Sequence, residues 1–141
     1  MAHWRLFYHL VWTTKNREPW VSAEIELHLY RFLHAEAKKQ YCPLFYVGGS
    51  VDHVHVLCAV RPALSPADFV KQLKGSSSRF ISLEFKRPFA WQEGYGAFTV
   101  SEKDAPEVID YVLHQKQHHA AGTAVGAWEQ TEDLNVGPKA Q

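Results

Sequence analysis

The sequence predicts an α+β domain: a four-stranded antiparallel sheet, two helices on one of its faces, and a further C-terminal helix carrying a tyrosine. Three observations lead there. Short segments rich in aromatic and β-branched residues alternate with longer segments of helical periodicity. These segments follow the order β-α-β-β-α-β, then one more helix. The chain has 141 residues, about one domain's length, enough to bury a core without staples.

Each element has its own local reason. Phe7 to Thr13 is a run of aromatic and β-branched residues and reads as the first strand. Ser22 is placed to cap a helix whose stripe is Ile25, Leu29, Phe32 and Leu33, running to about Lys39. After Pro43, Leu44 to Val47 reads as a short strand, and Gly48-Gly49-Ser50-Val51-Asp52 as a turn. Val54 to Val60 is almost unbroken in apolar character, as expected of a strand covered on both faces. Ser65-Pro66-Ala67-Asp68 opens the second helix, with proline at its first position and an acid in its first turn. On that helix Phe69, Leu73 and Phe80 mark the apolar face, with Lys71, Lys74, Ser78 and Ser82 opposite. Ala97 to Val100 is the fourth strand, and Asp104-Ala105-Pro106 opens a last helix to about His119. The pattern is the ferredoxin-like (RRM-like) split βαβ arrangement, a fold that names no function by itself. Residues 1–119 read as one domain and 120–141 as a C-terminal tail.

Composition narrows the class. Apolar residues make up 46% and charged residues 21%, ordinary for a globular chain and unlike a disordered one. No apolar run approaches the ~20 residues of a membrane span, and the opening residues resemble no secretory leader. Cys42 and Cys58 form no CxxC pair and read as reduced thiols in a cytoplasmic protein. Net charge is zero, so no global basic character points to nucleic acid. The distribution is uneven: Arg61 to Arg87 carries a net +4, and Pro88 to Asp110 a net −4. The second helix could thus present Lys71, Lys74, Ser78 and Arg79 to a DNA backbone, or be a solvated face.

Two constellations could carry chemistry. In Asp52-His53-Val54-His55-Val56-Leu57, the period of a strand puts both histidines on one face, ~6.5–7 Å apart. Two imidazoles in an apolar strand need partners; a shared metal ion is one solution, and hydrogen bonds to carbonyls or water are another. On the last helix, Val108, Ile109, Val112 and Leu113 form a stripe with Tyr111 and Gln115 at its edge, four residues apart. A phenol and an amide there can reach a shared site, or the phenol can pack and the amide be solvated. His118 and His119 diverge by 100° and read as surface or packing residues. No phosphate-binding P-loop and no GxSxG elbow is present.

Four motifs in one order carry a resemblance. Tyr8-His9-Leu10-Val11-Trp12-Thr13-Thr14-Lys15-Asn16-Arg17, the Asp52-His53-Val54-His55 strand, Leu73-Lys74-Gly75 with Ser78-Arg79, and Tyr111-Val112-Leu113-His114-Gln115 with His118-His119 together resemble the single-tyrosine HUH transposases of the insertion-sequence 200 family, including their relatives tied to repetitive palindromes. The match runs from about Trp4 to His119. The resemblance implies His53 and His55 as ligands of a divalent metal (Mg2+ or Mn2+), Gln115 completing that site, and Tyr111 as nucleophile. It implies cleavage of single-stranded DNA beside hairpins without a nucleotide cofactor, through a 5′-phosphotyrosine, by a homodimer with composite sites. Ser101 to Ala105 would be the hinge of the tyrosine helix. Two imidazoles and an amide suit several transition metals by ligand type, whereas the family is regarded as using magnesium or manganese. Two other readings compete: a nucleic-acid-binding module without catalysis, and a metal-dependent phosphoesterase using water.

Overall fold

Strand β1 (Phe7–Thr13) sends alternate side chains to opposite faces of a sheet. Leu10 and Trp12 enter the larger core, and His9, Val11 and Thr13 face the other way. The computed structural model describes residues 4–113. Gln115, His118, His119, the end of the last helix and the 120–141 tail lie outside the described residues.

Ser22 caps α1 (Ala23–Lys39), its side chain accepting from the Ile25 amide. Glu24 and Glu26 sit in its first turn and Lys38 and Lys39 in its last, each sign at the dipole end that favours it. Ile25, Leu29, Leu33 and Ala37 are buried at helical spacing. The chain then forms β2 (Leu44–Ser50) and β3 (His53–Ala59). Ser65 caps α2 (Pro66–Phe85) by accepting from the Asp68 amide, with Pro66 at the start. β4 (Gly96–Val100) and α3 (Ala105–Leu113) complete the order. The sheet runs β2-β3-β1-β4, every neighbouring pair antiparallel, so the expected α+β architecture is the observed one.

Helices α1 and α2 pack on one face, over Leu10, Trp12, Val54, Val56 and Cys58. Phe80 is half-buried there and stacks on Phe32 at a centroid distance of 4.4 Å, while Val70, Ser77 and Ile81 complete the buried side of α2. Cys42 and Cys58 are free thiols within this core. A smaller cluster of Leu57, Val108 and Tyr111 occupies the opposite face, where α3 lies against β2 and β3. Among the described residues no helix is long and apolar enough to cross a membrane.

The stretch expected as a turn is mostly strand. Gly48, Gly49 and Ser50 pair with His55, Val54 and His53, and the chain reverses at Val51 and Asp52. Local composition favours a turn, but the two glycines serve strand pairing instead. A Cβ at Gly49 would overlap the His53 carbonyl oxygen and crowd the Val54 Cα, so only glycine lets β2 come this close to β3. The longer β2 sets Ser50 directly opposite His53. Gly49→Ala should therefore lower stability by about 1–3 kcal/mol, the usual cost of overpacking. The measurement is the urea midpoint at unchanged m-value; a wild-type midpoint would show that the backbone yields freely.

Candidate active site

His53 and His55 lie on the sheet face opposite the two large helices. They are 1% and 0% exposed, with ring centroids 5.1 Å apart and planes nearly perpendicular. Burying an imidazole without partners costs several kcal/mol on the scale of ~2–7 for a polar group, so its hydrogen bonds define the site. His53 Nδ1 lies 2.8 Å from Asp52 Oδ1 and 3.0 Å from Ser50 Oγ. The Ser50 hydroxyl in turn donates to Asp52 Oδ1 at 3.1 Å, and Arg17 pairs with the other carboxylate oxygen at 3.5 Å. Burial pushes the Asp52 carboxyl up. The hydrogen bond and charge of His53, the Ser50 hydroxyl and Arg17 outweigh this and hold it below its ordinary range. An ionised acceptor at Nδ1 places the His53 proton on Nδ1 and leaves the lone pair on Nε2.

His55 has a different neighbour. Its Nδ1 lies 2.7 Å from His9 Nε2, and the two rings stack at 4.9 Å. His9 is 1% exposed. Pairing of β1 with β3 sets Val11 opposite His55 and His9 opposite Leu57, so His9 is a diagonal neighbour on the same face. Phe98, opposite His9 on β4, flanks it at 5.9 Å. Reading the sequence alone leaves His9 inside a motif without a role. Its parity with Val11 and Thr13 is the available signal, but that parity has meaning only once the β1–β3 register is known.

Tyr111 reaches the same face from above. Its ring is 6% exposed, packs with Leu57 and Val108, and stands edge-on to His55 at 5.9 Å. Ser101 steadies the start of α3, its hydroxyl accepting from the Asp104 amide at 3.1 Å. The expected hinge, Ser101 to Ala105, is thus a hydrogen-bonded turn, and α3 rests on the sheet of its own chain. The other tyrosines go elsewhere: Tyr8, Tyr30 and Tyr95 pack on the larger core, Tyr41 is exposed, and Tyr46 packs against the smaller cluster. The fold therefore brings His53, His55 and Tyr111 together. Gln115 lies outside the described residues.

The donor chemistry fits a divalent cation. Each of the two rings commits Nδ1 to a neighbour, the usual support of a metal-ligating imidazole, and Nε2 is then the nitrogen to ligate. Among the described residues no three His, Cys, Asp or Glu side chains are grouped to hold one ion. An ion held by these two nitrogens would need further donors besides them.

The basic residues of α2 lie across the sheet from this site, since α2 packs on the other face. Lys71 and Arg79 are exposed, and the Ser78 hydroxyl donates to the Gly75 carbonyl. A Cβ at Gly75 would meet nothing within 4 Å, leaving an open surface there. Lys74 behaves differently: its Nζ donates to the carbonyls of Gln92 at 2.6 Å and Gly94 at 2.9 Å. Burial lowers its pKa, with Glu93 opposing. Two of its three donors thus tie α2 to the segment that leads into β4.

The chain is similar to known proteins along most of its length. The sequence profile of the family described as "Transposase IS200 like" matches residues 2–115. The ISDra2 transposase TnpA of Deinococcus radiodurans is 29% identical over 119 residues, covering 79% of this chain and 85% of that protein. The transposase for insertion sequence element IS200 of Salmonella typhimurium is 30% identical over 132 residues, covering 86% of each. A crystal structure from D. radiodurans R1 superimposes with a TM-score of 0.67 at 31% identity, over 81% of this chain and 93% of that one. The structure of a REP-associated tyrosine transposase bound to a REP hairpin shares the fold, with a TM-score of 0.63 at 11% identity, over 88% and 76%.

The lysine on α2 offers a direct check of its placement. Lys74→Met keeps the stem and removes both charged hydrogen bonds, each kind being worth about 1.5–3 kcal/mol; partial exposure of Lys74 puts the expected loss at the low end. The observable is a lower unfolding midpoint, with faster amide exchange across 92–96. Wild-type values for both would mean the two carbonyls are satisfied without it.

Proposed function

The chain belongs to the IS200-like transposase family, and from that premise we propose that it cleaves and rejoins single-stranded DNA beside hairpins through a covalent 5′-phosphotyrosine on Tyr111. The observation that carries this reading is the packing of Tyr111 edge-on to His55, on the face that also holds His53. A pure binding module has no need to bury a phenol beside paired imidazoles.

Nε2 of His53 and of His55 would hold a magnesium or manganese ion, with Gln115 completing its protein ligands. Bound there, such an ion polarises a phosphate oxygen and offsets charge developing on the phosphoryl group. The protein residues do the rest. Leu57 and Val108 pack the Tyr111 ring, so its oxygen is aimed with little freedom left to lose. As the phenol loses its proton, its oxygen bonds to phosphorus and the bond from phosphorus to the 3′ oxygen breaks. The upstream strand leaves with a 3′-OH after taking up a proton, and the 5′ end stays as the tyrosine ester. That ester keeps the energy of the phosphodiester, so attack by another 3′-OH rejoins DNA without ATP.

Hairpin recognition falls to a different surface. Lys71, Ser78 and Arg79 offer backbone contacts on α2, with Lys74 adding charge while it holds the loop. The REP-associated relative was solved on a hairpin, which supports hairpin DNA as the partner here. Residues 1–119 would act as one domain with 120–141 as a tail, in a cytoplasmic homodimer in which α3 completes either protomer's site.

Tyr111→Phe removes one oxygen and keeps the packing. It should fold, bind Mn2+ and bind hairpin DNA, yet form no covalent adduct on a denaturing gel, and EDTA should abolish the adduct of the wild type. Adduct formation by Tyr111→Phe at the wild-type rate would move the nucleophile elsewhere. Cutting by the wild type with no adduct under trapping conditions would favour the water-using phosphoesterase.

Charge removal on α2 tests the second surface. Each phosphate of a paired stem that the protein ceases to neutralise lowers the log–log salt slope by about 0.9. Lys71→Ala with Arg79→Ala should therefore weaken hairpin binding and flatten the slope by about 1.8. An unchanged affinity and slope would place the DNA face elsewhere.

A further inference from the structure

We propose that His9 is a positioning residue for the metal centre: it accepts a hydrogen bond from His55 Nδ1 and so fixes the ring and tautomer in which His55 presents Nε2 to a divalent cation. The inference rests on the metal reading given above and adds a residue to it.

The geometry separates this role from direct ligation. His9 Nε2 and His55 Nδ1 are 2.7 Å apart. Two cis nitrogens on one octahedral Mg2+ ion at ~2.0–2.1 Å stand about 2.9 Å from each other, still farther apart. The observed separation is that of a hydrogen bond with a proton between the nitrogens. A cation on Nε2 of His55 leaves the ring proton on Nδ1, which donates to the Nε2 lone pair of His9. The His9 proton is then on Nδ1. Stacking of the two rings at 22° and burial of both remove the freedom to rotate away.

The two ligands are thus supported by different chemistry. Asp52 and Ser50 hold His53, whereas a neutral imidazole holds His55. The difference suits their surroundings. Arg17 offsets the Asp52 charge at one end of the site. His55 is the ring that meets Tyr111, and a phosphate has to approach there. A second carboxylate under that position would repel it; an imidazole supports the ligand without adding negative charge.

The test uses the full chain and the Mn2+ ion alone. His9→Gln keeps an acceptor oxygen at about the reach of Nε2, and His9→Met fills similar space with only a weak acceptor. Calorimetric titration with Mn2+ should show a loss of about 10–100-fold in affinity for His9→Met, the usual effect of removing such a support. His9→Gln should recover most of it. Unfolding midpoints in EDTA should be similar for the two variants, which a purely structural role would not combine with different affinities. Independently of any variant, imidazole 15N spectra of the Mg2+-loaded wild type should place the His55 proton on Nδ1. Wild-type affinity in a folded His9→Met, equal weakness of the two variants, or a His55 proton on Nε2 would each overturn the proposal. His53→Ala with His55→Ala distinguishes the two levels. If that pair leaves Mn2+ affinity intact, the metal reading fails; if it abolishes binding while His9→Met does not weaken it, only the role of His9 fails.

Discussion

Two imidazoles on a strand buried along its whole length have to find partners where water does not reach, and the rest of the site follows from how they do so. His53 and His55 cannot both stay on β3 unless each Nδ1 meets a polar atom supplied by a neighbouring segment. The β1–β3 register supplies His9 to one ring. The β2–β3 hairpin supplies Ser50 and Asp52 to the other. Gly49 is part of the same solution, because its missing side chain lets β2 approach β3 closely enough for Ser50 to stand opposite His53.

The sheet divides labour between its faces. The face under α1 and α2 is apolar and continuous, with Trp12, Leu10, Phe69 and Leu73 fully buried. On the other face, the described part of α3, Ala105–Leu113, covers a second cluster of Leu57, Val108 and Tyr111. A polar network is tolerated on this face because the larger core lies elsewhere.

The same division separates the histidine and tyrosine cluster from the basic surface of α2. A hairpin stem seated on Lys71 and Arg79, as proposed, would have to send its unpaired strand past an edge of the sheet to reach Tyr111. A double helix is too stiff to turn so sharply, whereas an unpaired strand leaving a hairpin can do so. The separation of the two faces thus agrees with a substrate that is paired at one end and unpaired at the other.

Much of this was legible in the residues. Period-two alternation set His53 and His55 on one face and Val54, Val56 and Cys58 on the other, because a strand allows no third direction. Ser22 and Ser65 marked helix starts, because an N-cap is a local arrangement between a side chain and the next turn. Tyr111 stood at the edge of an apolar stripe for the same local reason. Three features needed the tertiary structure. The Gly48-Gly49-Ser50 segment has the composition of a turn, and only the pairing partner makes it a strand. Lys74 reads as a free cation until the 92–94 segment folds over it with two carbonyls. His9 acquires its partner through the β1–β3 register, an interaction between residues 46 positions apart. Periodicity reports which face a side chain takes, since that follows from the backbone of one segment; which residue it meets there depends on register and docking, and these are set only when segments distant in the chain pack together.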